Sequence, residues 1–370
     1  MRVLIAGGGT AGHVFPALAL ARRLADHHGA EVSFAGTTTG QEARLVPAAG
    51  FPFFEIEARP FVRKVSVGAL RAPVTALGSV RRVRPLVEVA DVVVGMGGFV
   101  SVPAVIAGSR AHRPVVLHEQ NAVPGLANRV LSRMARVVAL SFPDATPSFP
   151  RRTRSVVTGN PIREAIASVP AERESLAAMA RKELDLEDGR RTIVVFGGSQ
   201  GALHIDRAAV GACGILRDRG DLQVVLLTGP AHHEAMVRGL PRGGALVVRA
   251  LPFLDRMELA YASADLVVSR AGATTIAEVT ACGLPSLLIP YPYATARHQE
   301  ANARAVQRAG GATVLLDDQL TPEELADRID ALVGHEERLR AMAGRAAAWG
   351  RPDAAERLAE VVVDAAGASR

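Results

Sequence analysis

Two glycine-rich turns, about half a chain apart, have the residue types that bind phosphate. The first turn, 7–13, reads Gly-Gly-Gly-Thr-Ala-Gly-His and follows the apolar stretch 2–6. The second turn, 197–201, reads Gly-Gly-Ser-Gln-Gly and follows the apolar stretch 192–196. Glycine lets the main chain approach an anion closely, and a helix that begins after such a turn points N–H groups at it. The two turns therefore predict two Rossmann-like domains that face a common cleft with a phosphorylated ligand.

The first turn also matches the dinucleotide fingerprint Gly-x-Gly-x-x-Gly, at Gly7, Gly9 and Gly12. That fingerprint needs an acidic residue at the end of the second strand, where it binds the adenosine ribose. The second strand pattern, 31–35, is followed by the residues Gly-Thr-Thr at 36–38. Because the acid is absent there, the sequence argues against a nicotinamide-dependent enzyme.

The segment 269–278 offers ligands for a nucleotide. Gly272 can form a turn after an apolar strand, and Thr274 or Thr275 can cap the next helix and face a phosphate. Glu278 lies about one turn further along, where its carboxylate can accept both hydroxyls of a ribose. The alternative is a capping box between Thr275 and Glu278. We favour the ribose, because the following strand also ends in a polar cluster.

That cluster is Arg297-His298-Gln299, after the apolar stretch 287–289. The amide of Gln299 has the donor and acceptor groups that suit neighbouring hydroxyls of a hexose, although a solvated helix start is the commoner origin of such a residue. Ligands for a diphosphate, a ribose and a hexose thus follow three strands: Ser199, Thr274, Glu278 and Gln299. The pattern indicates a nucleoside diphosphate sugar.

Strand and helix patterns alternate along the whole chain of 370 residues. This alternation predicts the α/β class with parallel sheets covered on both faces, and the length predicts two domains. The strand candidates are 2–6, 31–36, 52–56, 91–95, 114–118 and 136–140, then 192–196, 222–228, 245–249, 265–269, 285–289 and 312–316. A stretch rich in Pro, Thr and Arg, 143–163, is predicted to be the linker, and Pro352-Asp353 marks the start of a last helix.

The net charge of +6 favours an anionic partner. Nucleic acid is disfavoured, because three Tyr and one Trp offer little base stacking and no RNA-binding or recognition-helix signature occurs. The segment 59–84 instead places basic and apolar side chains at helical spacing, which suits an anionic membrane surface. An ordinary amphipathic helix packed on the sheet has the same pattern.

Metal-ligand spacing of Cys and His is missing from the sequence, and no Asp-x-Asp motif follows a strand. We therefore expect chemistry without a metal ion and without a cofactor.

Five motifs, in their order and spacing, resemble the MurG family of glycosyltransferases, which belongs to glycosyltransferase family 28. They are the two glycine-rich turns, with the first extended to Pro16, His118-Glu119-Gln120-Asn121, Gly159-Asn160-Pro161-Ile162-Arg163 and the segment 269–278. The resemblance covers essentially the whole chain. It departs from the family's usual pattern at Ala11, where a second glycine is frequent, and at Phe99, where Tyr is common.

The resemblance implies the GT-B fold, which has two Rossmann-like parallel-sheet domains facing a central cleft. Residues 1–161 plus 349–370 would form the acceptor-binding and membrane-facing domain, with a returning C-terminal helix. Residues 162–348 would form the domain that binds UDP-N-acetylglucosamine (UDP-GlcNAc). The implied activity is inverting transfer of GlcNAc to the C4 hydroxyl of N-acetylmuramic acid (MurNAc) in lipid I (undecaprenyl-diphospho-MurNAc-pentapeptide), which gives lipid II for peptidoglycan synthesis.

The resemblance further implies donor ligands throughout the chain. Near the donor sugar and phosphates these are Thr10, Ala11, Gly12, Asn121, Arg163 and Ser199. The main chain at Leu254 would read uracil, and the ribose and phosphates would be bound by Ala273, Thr274, Thr275, Ile276, Ala277 and Glu278. Either His298 or Gln299 would bind the hexose, and Asn128 is placed on the acceptor side.

Direct displacement with inversion needs a base that takes the proton of the acceptor hydroxyl. His13 is the predicted base, because the N-terminus of the first helix favours the neutral, proton-accepting imidazole. The alternative role for His13 is a hydrogen bond to the acceptor diphosphate. Glu119 is the second candidate for the base.

The resemblance implies a peripheral protein on the cytoplasmic face of the cell membrane, with cell-wall and division proteins as partners. One alternative is another GT-B enzyme that uses a UDP-sugar, either a lipid glycosyltransferase or a UDP-GlcNAc 2-epimerase. The other is a non-catalytic sensor of nucleotide sugars. An epimerase would turn over UDP-GlcNAc alone, whereas a sensor would bind it without releasing UDP in the presence of lipid I.

Overall fold

The structure, a computed structural model, describes residues 1–9, 11–56, 67–198 and 201–367, with the backbone alone at Ala11 and 67–77. The chain divides into two compact units. The N-terminal unit comprises Met1–Arg163 and Asp353–Arg370, and the C-terminal unit comprises Glu164–Pro352.

The N-terminal unit contains a seven-stranded parallel sheet in the order β3-β2-β1-β4-β5-β6-β7. Its strands are β1 (Arg2–Ala6), β2 (Glu31–Gly36), β3 (Phe53–Glu55), β4 (Val92–Gly95), β5 (Val115–Glu119), β6 (Val137–Leu140) and β7 (Ser155–Val157). Its helices are α1 (Ala11–His28), α2 (Glu42–Ala48), α3 (Val67–Val89), α4 (Ser101–Arg110), α5 (Leu126–Leu131) and α15 (Ala354–Gly367).

Successive side chains of β1 enter different cores, as expected for a sheet that is covered on both faces. Val3 and Ile5 pack in a core with α1 and α15, to which α15 contributes Leu358 and Val362. Leu4 and Ala6 pack in a second core with α3 and α4. The last helix therefore returns to the N-terminal unit, and it begins directly after the predicted Pro352-Asp353 start.

The C-terminal unit contains a six-stranded parallel sheet in the order β10-β9-β8-β11-β12-β13. Its strands are β8 (Arg191–Phe196), β9 (Leu222–Leu227), β10 (Val247–Leu251), β11 (Leu266–Ser269), β12 (Ser286–Leu288) and β13 (Ala312–Val314). Its helices are α6 (Glu164–Ala167), α7 (Val169–Glu183), α8 (Leu203–Ile215), α9 (His233–Gly239), α10 (Met257–Ser263), α11 (Ala273–Ala281), α12 (His298–Ala309), α13 (Pro322–Val333) and α14 (Glu336–Trp349).

The predicted α/β class and the parallel sheets are confirmed, and each of the strand patterns corresponds to an observed strand. The linker prediction for 143–163 is wrong, because that stretch contains a 3₁₀ helix, Pro143–Ser148, and the strand β7. β7 pairs with β6 as an edge strand of the sheet. Its three residues are too few for a periodic signal, and the surrounding Pro and Arg residues resemble a loop.

Within the ranges that the structure describes, no helix combines the length and the apolar character needed to cross a bilayer. Two 18-residue stretches without charged residues, 92–109 and 279–296, are each divided between a strand, a loop and part of a helix.

Candidate active site

His13 lies in the first turn of α1, and its ring rests on two glycines that follow β4. Gly97 and Gly98 have φ angles of 92° and 74°, a region that favours glycine. A Cβ atom on Gly97 would come within 3.2 Å of the His13 Cδ2 atom and 3.9 Å of the His118 carbonyl oxygen. Gly97 therefore separates the imidazole of His13 from the end of β5, at the carboxyl edge of the N-terminal sheet.

Glu119 ends β5 and is buried, with donors on both of its carboxylate oxygens. Oε1 accepts the Asn121 main-chain N–H at 3.0 Å and its side-chain amide at 3.5 Å. Oε2 accepts the Gly125 N–H at 3.1 Å and the Asn128 side-chain amide at 2.9 Å. Burial raises the pKa of Glu119, although these donors stabilise its charged form. The carboxylate thus holds the loop 120–128 in place.

His118 connects β5 to the predicted motif 159–163. Its Nε2 lies 3.1 Å from the Gly159 carbonyl oxygen, so the proton is on Nε2. Burial lowers the pKa of His118 to about 4, so the ring is neutral at neutral pH. At the end of this motif, the Arg163 guanidinium lies 5.4 Å from the centre of the Phe15 ring in α1. His13, Glu119, Asn121, Asn128 and Arg163 therefore all belong to the carboxyl edge of this sheet.

Glu42 is a functional candidate that the sequence prediction missed. It begins α2, is 1% exposed, and accepts the Gly9 N–H at 2.8 Å through Oε2. Oε1 accepts the N–H and the hydroxyl of Thr37 at 3.0 and 2.8 Å. A Cβ atom at Gly8, Gly36 or Gly40 would collide with the Glu42 side chain. These glycines are the only sequence signal for the site, and they are dispersed over thirty-three residues.

The position of Glu42 also explains why the Gly-x-Gly-x-x-Gly match is misleading. In a dinucleotide fold the N–H groups of this turn face a phosphate, and the acid after the second strand binds the ribose. Here the acid after β2 turns inward and accepts the Gly9 N–H. Of the donor ligands predicted in this turn, Thr10 lies outside the described residues, and Ala11 and Gly12 form the start of α1.

In the C-terminal unit, α11 begins after β11 with Gly272 as its N-cap and without a side-chain cap. The prediction that Thr274 or Thr275 caps this helix is wrong, and so is the alternative capping box, because both threonines and Glu278 lie inside the helix. Gly272 reaches the extended conformation of an N-cap, with φ −65° and ψ 145°, without a capping side chain. A helix leaves its first N–H groups without intrahelical acceptors, and here those groups start at Ala273.

Glu278 is buried in the second turn of α11 and accepts a hydrogen bond from the Tyr261 hydroxyl, with 2.9 Å between Oη and Oε2. Tyr261 belongs to α10, which follows the loop that contains Leu254. Ile276 and Ala277 complete the predicted ribose and phosphate helix. Leu254, the start of α11 and Gln299 thus follow β10, β11 and β12 at the carboxyl edge of the second sheet.

His298 and Gln299 are the first two residues of α12. The His298 Nδ1 atom donates to the Thr295 carbonyl at 2.8 Å, and the Gln299 Oε1 atom accepts the Tyr291 N–H at 3.0 Å. Between these contacts, Ala296 and Arg297 both have φ angles of 52°, which is strained for residues with a Cβ atom. The loop 291–298 is therefore held in an unfavourable conformation by its own polar contacts.

Beyond the second glycine-rich turn, Asp206 is fully buried in α8. Ser199 and Gln200, in the turn itself, lie outside the described residues. In the described part of the chain, neither carboxyl oxygen of Asp206 makes a hydrogen bond of good geometry. Burial raises the pKa of Asp206 to about 7, and the charge of Arg270 offsets part of that effect. Arg270 itself pairs with Asp317 and donates to the Ile289 carbonyl at 3.2 Å.

Over the described ranges, no three His, Cys, Asp or Glu side chains come together in a group that could hold a metal ion.

Two domain models of glycosyltransferase family 28 match the chain, the N-terminal domain over residues 3–140 and the C-terminal domain over residues 192–358. With two parallel α/β sheets, these matches define a glycosyltransferase with the GT-B architecture. A Moorella thermoacetica protein named UDP-N-acetylglucosamine–N-acetylmuramyl-(pentapeptide) pyrophosphoryl-undecaprenol N-acetylglucosamine transferase is 42% identical over 98% of each chain. The chain belongs to the family of these transferases, the MurG family.

Solved structures agree with this assignment. MurG from Acinetobacter baumannii is 30% identical, with a TM-score of 0.78 over 98% of this chain and 99% of that chain. A UDP-GlcNAc 2-epimerase from Neisseria meningitidis has a TM-score of 0.69 over 98% of this chain and 100% of its own. Because it is only 13% identical, it shows a common fold and nothing about the reaction.

Replacement of Glu42 by Gln should destabilise the N-terminal unit by about 1–3 kcal/mol. One carboxylate oxygen becomes an amide NH₂ group, which leaves the N–H of either Gly9 or Thr37 without an acceptor. Urea unfolding measures the effect, and Glu55→Gln on the exposed end of β3 is the matched control. Equal stability of the two variants would contradict the structural role of Glu42.

Replacement of Asp206 by Asn should flatten the pH dependence of stability. The pKa is about 7 in the folded protein against an ordinary value of 3.8, so the folded wild type binds the extra proton in that interval. Its free energy of unfolding should therefore fall, relative to the variant, as the pH rises from 3.8 to about 7, by at most about 1.4 kcal/mol per pH unit. Urea unfolding of both proteins across this interval tests the slope. Asp318→Asn, at an exposed position, should leave the pH dependence of the free energy of unfolding unchanged.

Proposed function

We propose that this protein transfers GlcNAc from UDP-GlcNAc to the C4 hydroxyl of MurNAc in lipid I, with inversion, to give lipid II. The observation that carries the proposal is the relationship to transferases of this name, which extends over nearly the full length of both chains.

The donor half-site is proposed at the carboxyl edge of the C-terminal sheet. The diphosphate would bind at the start of α11 and at Ser199, where helix dipoles favour an anion. The carboxylate of Glu278 would accept hydroxyls of the ribose, and the main chain at Leu254 would read uracil. His298 or Gln299 would bind the hexose.

The acceptor half-site is proposed around His13, the base that takes the proton of the C4 hydroxyl. The oxygen would then attack the anomeric carbon, and UDP would leave with the electron pair of the broken bond. His13 is favoured over Glu119, because each Glu119 oxygen already accepts two hydrogen bonds from its own loop. Asn128 would act through that loop, since its amide donates both to Glu119 and to the His118 carbonyl.

An anionic membrane surface is the second proposed partner. Residues 59–66 of the sequence-predicted segment lie outside the described residues, and the described end of α3 buries Val83 and Val87 in the core. A different surface of the N-terminal unit has the required chemistry. Along α5 and the turn after it, Leu126, Val130 and Met134 are 69%, 50% and 45% exposed.

Exposed arginines accompany these apolar side chains. Arg129 in α5 and Arg133 in the turn after it are both exposed, and the set 126, 129, 130, 133 and 134 follows the i, i+3 and i+4 spacing. Apolar side chains with interspersed cations suit a bilayer that contains anionic lipid. Because α5 begins one residue after Gly125, which donates to Glu119, this surface continues directly from the proposed acceptor half-site.

His13→Ala should lower turnover by roughly a hundredfold or more, because it removes the proposed base. The measurement is UDP release from UDP-GlcNAc with and without a soluble lipid I analogue. His27→Ala, at an exposed position of the same helix, is the control.

The other outcomes of this assay identify the alternatives. Unchanged turnover with weaker acceptor binding would assign His13 to the acceptor diphosphate. Conversion of UDP-GlcNAc without any acceptor would indicate an epimerase. Binding of UDP-GlcNAc without UDP release in the presence of the analogue would indicate a sensor.

Reversal of two charges, Arg129→Glu with Arg133→Glu, should weaken binding to vesicles that contain anionic phosphatidylglycerol by about tenfold or more. Each arginine near such a surface contributes about 1 kcal/mol, and the attraction decreases with salt. Vesicle sedimentation at two ionic strengths measures the binding and its decrease with salt. Arg217→Glu, an exposed position in the C-terminal unit, should bind like wild type. If the double variant also binds like wild type, the membrane-binding surface of the protein is not at α5.

A further inference from the structure

The Tyr261 hydroxyl makes a buried contact that core packing does not require. Tyr261 is among the largest fully buried side chains of the described chain, and its hydroxyl donates to Oε2 of Glu278 at 2.9 Å. A phenylalanine would fill nearly the same volume. The hydroxyl is therefore explained by the carboxylate that it contacts, because a buried charge needs hydrogen-bond donors.

The position of Tyr261 is fixed by packing on two sides. Its ring lies edge-on against Phe196, with 6.1 Å between the ring centres and 61° between the planes. Phe196 is the last residue of β8, directly before the second glycine-rich turn. Tyr261 itself lies on α10, the helix that follows the loop with Leu254. Tyr261 therefore contacts the strand that precedes the second glycine-rich turn and lies on the helix that follows the loop with Leu254. Its hydroxyl reaches the carboxylate of Glu278 on α11.

We propose that Tyr261 is a positioning residue for the ribose of the donor nucleotide. A glutamate side chain can rotate about its last bond, and the contact to a rigid phenol fixes Oε2 and, with it, the direction of Oε1. The carboxylate is then preorganised toward ribose hydroxyls and loses less freedom on binding. The inference rests on the proposed role of Glu278, and it extends that role to a residue that does not touch the nucleotide.

Tyr261→Phe tests the inference through the 2′-hydroxyl of the ribose. Wild type should bind UDP more tightly than 2′-deoxy-UDP, and the variant should lose about tenfold of that preference, the typical effect of a hydrogen bond to a charged group. Affinity for 2′-deoxy-UDP should stay near that of wild type. KM for UDP-GlcNAc should rise while kcat changes little. Calorimetric titration and steady-state kinetics provide the readouts, with Tyr293→Phe, which removes an exposed hydroxyl of the same unit, as control.

Comparison with Glu278→Gln separates failure of the inference from failure of the proposed function. If Glu278→Gln loses the 2′-hydroxyl preference and Tyr261→Phe keeps it, Tyr261 has no positioning role and the ribose assignment stands. If Glu278→Gln itself keeps the preference, the ribose assignment fails.

Equal losses of affinity for UDP and 2′-deoxy-UDP in Tyr261→Phe would show a merely structural role and overturn the inference. If Tyr261→Phe does not fold, Phe196→Leu provides a second test, because it keeps the Tyr261 hydroxyl but removes the ring that packs against Tyr261. It should then also lower the 2′-hydroxyl preference, and an unchanged preference would overturn the inference.

Discussion

Buried carboxylates hold the functional loops of both units, because a buried charge is stable only where donors surround it. Glu42 fixes the first glycine-rich turn through the Gly9 N–H, and Glu119 fixes its own loop with four donors. Glu278 meets a tyrosine hydroxyl inside the second unit. Asp206 contrasts with these three, since neither of its carboxyl oxygens makes a hydrogen bond of good geometry within the described residues, and burial raises its pKa to about 7. Hydrogen bonds to the buried carboxylates therefore fix the local backbone, and the backbone in turn positions the candidate site residues.

The two glycine-rich turns have similar sequences, but Ser199 and Gln200 of the second lie outside the described residues. In the first, the Gly9 N–H is engaged by a carboxylate of the same chain, so the phosphate-binding capacity of that turn is partly used internally. What the first turn provides instead is a start for α1 that places His13 against Gly97 and Gly98. Under the proposed function, this first turn belongs to the acceptor half-site, and the donor half-site lies in the C-terminal unit.

A glycosyltransferase of this family must bring a nucleotide sugar and a lipid-linked acceptor together, and its two units contribute unlike surfaces to that task. The C-terminal unit pairs most of its arginines with carboxylates, as at Arg219 with Asp221 and Arg249 with Asp185. In the N-terminal unit, Arg129 and Arg133 are exposed beside apolar side chains of α5. The second arrangement favours an anionic surface, which agrees with an acceptor that carries a polyprenyl chain.

The sequence by itself determined the α/β class, the parallel sheets and nearly all strands, because buried parallel strands appear as short apolar runs between helices. It also located both glycine-rich turns and the helix with Glu278, because each of these signals is contained within about ten consecutive residues. It did not determine the strand β7, the glycine cap of α11, or the partners of Glu42 and Tyr261. Gly9 and Glu42 are 33 residues apart, and Tyr261 and Glu278 are 17 apart. Such pairs depend on strand order and packing, so only the tertiary structure decides which buried charge meets which donor.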